Sequence, residues 1–263
     1  MTILENAIVP RYEVNQYAEK KSEYCLIIPI INEGQRILIE LDKAMNSNIH
    51  KLCDIIICDG GSTDESTNQE VMISHGVNTL LVKRDVGKQG AQLRMGFYWA
   101  LQRGYKGIVT IDGNNKDSIE DVPSFIKKLE EGYDFIQGSR FIQGGKAINT
   151  PLSRYIAVRC IHAPMISLTA KKKFTDTTNN FRAYSRNYLL DKRVNPFRNV
   201  FMTYELLAYL SVRADQLGYK TCEIPVARVY PKHEKTPTKI SPLKGNFELI
   251  KILFNNAAGK YKE

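Results

Sequence analysis

With 263 residues, 43% hydrophobic and 10% aromatic, the chain carries enough apolar content to bury a full core, which excludes a disordered protein. Lys and Arg number 37 against 28 Asp and Glu, and the resulting +9 suits an anionic partner: a phosphate-bearing ligand, a nucleic acid or an acidic membrane surface. Five scattered cysteines without a C-x-x-C pair read as reduced, structural thiols, and no apolar run approaches the roughly 18 residues that span a bilayer.

In chain order, residues 1–22 are polar and irregular and read as an arm or short helix; Glu5 and Arg11 there do not suit a secretory leader. Tyr24 to Ile31 is a continuous apolar strand closed by Asn32-Glu33-Gly34, with a helix expected from Gln35 to Met45. A second strand, Cys53 to Cys58, ends in Asp59-Gly60-Gly61-Ser62-Thr63-Asp64. A third, Thr79 to Lys83, leads through Gly87-Lys88-Gln89-Gly90 into a helix from Ala91 to Gln102. Gly107 to Ile111 then delivers Asp112, followed by a helix from Ile119 to Gly132 and a strand from Asp134 to Gly138. Strands that are apolar throughout and alternate with helices predict a parallel sheet covered on both faces.

After Gly138 the alternation stops. Helices are expected over Ser153 to Ala170 and Phe201 to Gly218, and a strand over Tyr219 to Val229. Tyr230 to Lys244 is basic and Pro-containing, and Gly245 to Asn256 reads as a closing amphipathic helix. The expected organisation is an arm at 1–22, a nucleotide-binding α/β half at 23–138 and a second half of the same domain at 139–263 that elaborates on the first.

Asp112 and Asn114 stand at a strand's carboxyl end, where open α/β sheets bind ligands, with the spacing of an Asp-x-Asp-type site for a divalent cation. A plainer reading has Asp112 cap the helix that begins near Ser118. Likewise Asp59 can accept from a base's N–H groups, whereas Ser62, Thr63 and Asp64 read as turn and capping residues. Glycines at 87 and 90 permit close backbone approach, and Lys88 or Arg94 can supply positive charge, although the Walker A spacing is missing.

Seven motifs in sequence resemble family-2 glycosyltransferases of the GT-A fold, and most closely the branch of dolichyl- and polyprenyl-phosphate sugar transferases. They are Ile28-Pro29-Ile30-Ile31-Asn32-Glu33, Asp59 to Asp64, Gly87 to Gly96, Asp112-Gly113-Asn114, Gly138-Ser139-Arg140-Phe141 with Gly144-Gly145, Asp176-Thr177-Thr178 to Phe181-Arg182, and Glu223-Ile224-Pro225-Val226. The resemblance spans about residues 23 to 245 and implies a Rossmann-like, mostly parallel sheet flanked by helices, with a helical, basic C-terminal elaboration on the acceptor side. It implies an inverting enzyme that moves a sugar from a UDP- or GDP-sugar to a polyprenyl phosphate or cell-surface glycan, peripheral at the inner membrane face, with Mg²⁺ or Mn²⁺.

Under that resemblance Pro29, Asn32, Glu33, Asp59, Lys88, Arg94, Asp112 and Gly113 meet the nucleotide, and Asp112, Asn114 and Asp117 hold the metal. Arg140, Arg154, Arg182, Arg228, Lys235 and Lys239 meet acceptor phosphate or donor diphosphate. Asp112 is catalytic; if the acceptor is a sugar hydroxyl, as in a polysaccharide glycosyltransferase, Glu205 or Asp176 is the candidate base. The reading from outside the enzymes is a nucleotide- or nucleic-acid-binding module, but the basic residues are dispersed and no aromatic-interleaved motif accompanies them, so no nucleic acid is expected.

Overall fold

The computed structural model of the chain describes residues 3–232 and 244–262. In chain order its strands are β1 (Tyr12–Gln16), β2 (Tyr24–Ile30), β3 (Asp54–Asp59), β4 (Val77–Lys83), β5 (Gly107–Thr110), β6 (Phe135–Ser139), β7 (Lys146–Ile148), β8 (Arg182–Ser185), β9 (Thr221–Pro225) and β10 (Ala227–Val229). Its α-helices are α1 (Gln35–Asn46), α2 (Ile49–Leu52), α3 (Gln69–Ser74), α4 (Gln89–Gln102), α5 (Val122–Glu130), α6 (Leu152–Ile156), α7 (Ala163–Ala170), α8 (Arg186–Leu190), α9 (Glu205–Gln216) and α10 (Lys244–Ala257).

Eight strands form one sheet in the order β1-β4-β3-β2-β5-β8-β6-β9. β4, β3, β2 and β5 run parallel, and β6 and β9 share their direction because β8, between β5 and β6, is antiparallel to both. The central strands are buried along nearly their whole length, so successive residues feed alternate cores. Ile27, Ile56 and Cys58 join α4, α7 and α9 on one face; Leu26, Ile28, Ile55 and Ile57 join α1 and α5 on the other. Because β8 comes from the second half of the chain and sits between strands of the first, the two halves share one sheet.

Three local differences from expectation have physical causes. Part of the expected arm, Tyr12–Gln16, is an antiparallel edge strand on β4, kept short and flanked by the ion pairs Arg11–Asp85 and Arg84–Glu13. The helix expected over Ser153 to Ala170 is helical from Leu152, but residues 157–162 are wound as π-helix. Pro164 lacks the N–H that would bond back to the carbonyl of Cys160, and the loosened turn precedes it. Finally β10 pairs with β7 in a separate two-stranded sheet, and a bridge ties Arg228 to Asp117. Of the cysteines, Cys25, Cys53 and Cys58 are buried, Cys222 is half-buried and Cys160 is exposed; none is in a disulfide.

Candidate active site

Parallel strands deliver their carboxyl ends to one edge, and there β2, β3 and β5 open onto a cleft of about 610 Å³. Pro29, Ile30 and Glu33 line it from β2 and the following turn, Gly60 from beyond β3, and Asp112, Gly113 and Asn114 from beyond β5. Gly113 is needed for this convergence, since a Cβ there would sit 2.5 Å from Ile30 Cγ2. Asp59 shapes the wall rather than facing the cleft: its buried carboxylate accepts from the N–H groups of Gly61 and Ser62 and from Ser62 Oγ, while Gly60 N donates to Ile30 O at 2.8 Å. Asn32, with φ 49°, accepts from Thr63 N through Oδ1, and Glu33 pairs with Arg36 at 2.9 Å.

The loop 87–90 contributes Gly87, Lys88 and Gln89 to the cleft. The close approach that Gly90 permits is to the chain itself, because a Cβ there would lie 2.8 Å from the carbonyls of Phe201 and Thr203. Gly90 N donates to Thr203 O and Lys88 N to Met202 O, so this loop is tied to the approach to α9.

At the centre, Asp112 does not cap a helix. Its Oδ1 accepts from Gln89 Nε2 at 2.7 Å, and its Oδ2 meets Arg228 at 3.5 Å. Arg228 also pairs with Asp117, whose side chain has no exposed surface, and donates to Asn179 Oδ1 at 3.2 Å. Burial works against the Arg228 guanidinium's charge, but Asp117 and Asp112 outweigh it and hold the group protonated. Lys116, buried and lining the same cleft, has its ammonium 5.4 Å from the Tyr230 ring centroid. Its pKa falls to about 7, chiefly through burial and then through Arg228, against the pull of Asp112 and Asp117.

The rest of the lining has a different chemistry. Arg154, His162, Thr177 and Thr178 give it polar groups, whereas Val158, Ile166, Leu207, Leu249, Ile252 and Leu253 form an apolar wall from the helical segment 152–170, α9 and α10. Burial, and then Arg154, pulls His162 down to about 4.

Several expected site residues hold the scaffold instead. Arg94, expected at the diphosphate, is 1% exposed and donates to the carbonyls of Ile8 and Arg198. Arg182, expected at phosphate, is fully buried with donors on the carbonyls of Asn179, Thr177 and Leu207 and on Ser211 Oγ. Arg140 and Asp176 form a buried bidentate ion pair at 2.6 and 2.9 Å, which leaves Thr177 and Thr178 at the cleft. Glu205 accepts from Thr203 N and Oγ1 at the start of α9. For Arg94, Arg182 and the Arg140–Asp176 pair the partners are brought together only by folding, whereas Glu205 finds its partner two residues earlier in the chain. Lys235 and Lys239 lie outside the described residues. Sequence reasoning assigned no role to Lys116, Gln89, His162 or Tyr204, all of which line the cleft. For Lys116 the signal was available: a lysine inside a strand-tip cluster of carboxylates and amides.

The sequence model of Glycosyl transferase family 2 matches residues 25–194. Among curated relatives, the undecaprenyl-phosphate mannosyltransferase of Micrococcus luteus is 27% identical over 207 residues, covering 77% of this chain and 82% of the relative. The polyprenol monophosphomannose synthase of Mycolicibacterium smegmatis is 24% identical over 207 residues, covering 76% and 75%. Among solved structures, glucosyl-3-phosphoglycerate synthase from Mycobacterium tuberculosis in complex with UDP superposes with a TM-score of 0.63 at 16% identity, over 89% of this chain and 80% of that one. The same enzyme with Mn²⁺, UDP and glucosyl-3-phosphoglycerate gives 0.59 at 17%, over 90% and 80%. At such identity the likeness shows the GT-A fold.

Proposed function

Because this chain belongs to glycosyl transferase family 2 and is a glycosyltransferase, we propose that it moves a sugar from a nucleotide-sugar donor onto a polyprenyl phosphate. The observation that carries the proposal is the mixed lining of one cleft, where strand tips suited to a nucleotide, several cations and an apolar wall come together. The names of the polyprenyl-phosphate relatives support the same acceptor.

In this reading Pro29, Glu33, Gly60 and Gly113 receive the nucleoside, and Lys88, Lys116 and Arg228 face the diphosphate. Asp112, held between Gln89 and Arg228, fixes the donor's orientation at the reacting centre. A phosphate oxygen of the acceptor attacks the anomeric carbon, whose bond to the diphosphate oxygen breaks, and the nucleoside diphosphate leaves with the bonding pair. Single displacement inverts the anomeric configuration, an expectation taken from the family resemblance.

A phosphate monoester is already anionic, so the reaction needs no group to remove a proton. That matches Asp176, committed to Arg140, and Glu205, committed to Thr203, which weakens the hydroxyl-acceptor alternative. The divalent cation that the resemblance implies fits these residues poorly, and no step is assigned to it. No helix among the described residues is long and apolar enough to cross a membrane. Exposed Leu152, Leu168, Phe247 and Phe254, on helices that also contribute the apolar wall, support peripheral contact with a bilayer.

Incubation with UDP- and GDP-sugars and undecaprenyl phosphate tests the proposal. Sugar should appear in an organic-extractable product that mild acid cleaves; release of free sugar alone, or no turnover with any donor, would contradict it.

A further inference from the structure

The residues assigned by resemblance to a divalent cation do not make a site for one. Asp117 is closed off by Arg228, Asp112 has one oxygen on Gln89 and the other near Arg228, and Asn114 contributes no charge. Among the described residues no three His, Cys, Asp or Glu side chains converge as metal ligands. Oδ1 of Asn114 and Oδ1 of Asp117 are buried without hydrogen-bond partners, and these are the lone pairs a cation would use. Reaching Asp117, however, means expelling a guanidinium that is 4% exposed and bound to Asn179 as well. The backbone pins it further, because Val229 N donates to Lys116 O at 2.7 Å and Ser118 N to Ala227 O at 3.1 Å.

Charge leads to the same conclusion. An Asp-x-Asp-type site offers net negative charge to the metal, whereas here Arg228 pairs with both Asp112 and Asp117, and Lys116 and Arg154 line the same cleft. A divalent cation would therefore meet carboxylates that already have cationic partners, not a site with net negative charge to offer it.

Resting on the nucleotide-sugar reading, we infer that Lys116 and Arg228 take the place of the divalent cation and bind the donor's diphosphate directly. Arg228, set between the two carboxylates, is the fixed charge; Lys116, at the cleft wall, is the contact that a single substitution removes. The nucleoside diphosphate then binds without added metal.

Calorimetric titration with UDP and with GDP, in EDTA and in Mn²⁺, tests this on the intact chain. For whichever nucleotide binds, the wild-type dissociation constants in the two buffers should agree within about threefold. Electron paramagnetic resonance should show no stoichiometric Mn²⁺ uptake with the nucleotide present. Lys116→Gln should weaken binding in EDTA by about tenfold or more, and Mn²⁺ should restore part of that loss, since the cluster then carries net negative charge. Binding of the wild type only when Mn²⁺ is present would overturn the inference and leave the nucleotide-sugar reading standing. Absence of binding to either nucleotide in both buffers would overturn both. The wild-type comparison stands whether or not the variant folds, and the variant's melting temperature reports its folding.

Discussion

In the proposed reaction Asp112 meets the substrate, whereas Glu205 accepts hydrogen bonds from Thr203 within the chain. Asp112→Ala leaves Arg228 its partner Asp117, so the melting temperature should change little while transfer falls by about 10²-fold or more. Glu205→Gln should cost about 1 kcal/mol in denaturant unfolding through the weakened contact with Thr203, with turnover within about threefold of wild type. A base would show the reverse pattern. His162 adds a pH dependence. Its folded pKa of about 4 lies below the ordinary 6.5, so the folded state holds it neutral. Its contribution to stability is present above pH 6.5 and is lost as pH falls from there toward 4. Between pH 7 and pH 4.5 the wild type should lose about 2 kcal/mol more than His162→Gln in urea unfolding; equal losses would remove His162 from the acid response. At this scale Asp112 was legible because it ends an apolar strand. Arg94 and Arg182 were misread because their carbonyl partners are brought together only by tertiary folding.

At the scale of elements, β2, β3, β5, α1 and α4 were legible from apolar runs and their Gly and Asn punctuation. β8 and β7 were not, and the single strand expected over Tyr219 to Val229 is divided into β9 and β10. The residues of β8, Arg182–Ser185, mix a charged residue with small and aromatic ones, and their strand state comes from pairing between β5 and β6. β10 acts by position, since its pairing with residues 116–118 sets Arg228 between the carboxylates. The apolar wall of the cleft is likewise a joint product of the segment 152–170, α9 and α10, whose contacts are distant in sequence. Leu249→Ser on α10 should raise KM for long-chain polyprenyl phosphate about tenfold and leave UDP or GDP affinity unaltered. An equal loss for a short, water-soluble phosphate would show that the apolar wall does not hold a lipid chain.

For the whole molecule, a formal charge of +9 and apolar side chains exposed beside the acceptor end suit an enzyme that works at an anionic bilayer. Vesicles containing phosphatidylglycerol should carry the protein in flotation, neutral vesicles much less, and high salt should release it; indifference to lipid charge would argue against a role for the net positive charge. The most direct test of the account is to offer the same donor with undecaprenyl phosphate and with undecaprenol. The cleft brings cations and an apolar wall to a nucleophile that needs no proton removed, so transfer should occur with the phosphate and be undetectable with the alcohol. Comparable transfer to the alcohol, lost on Glu205→Gln, would contradict it.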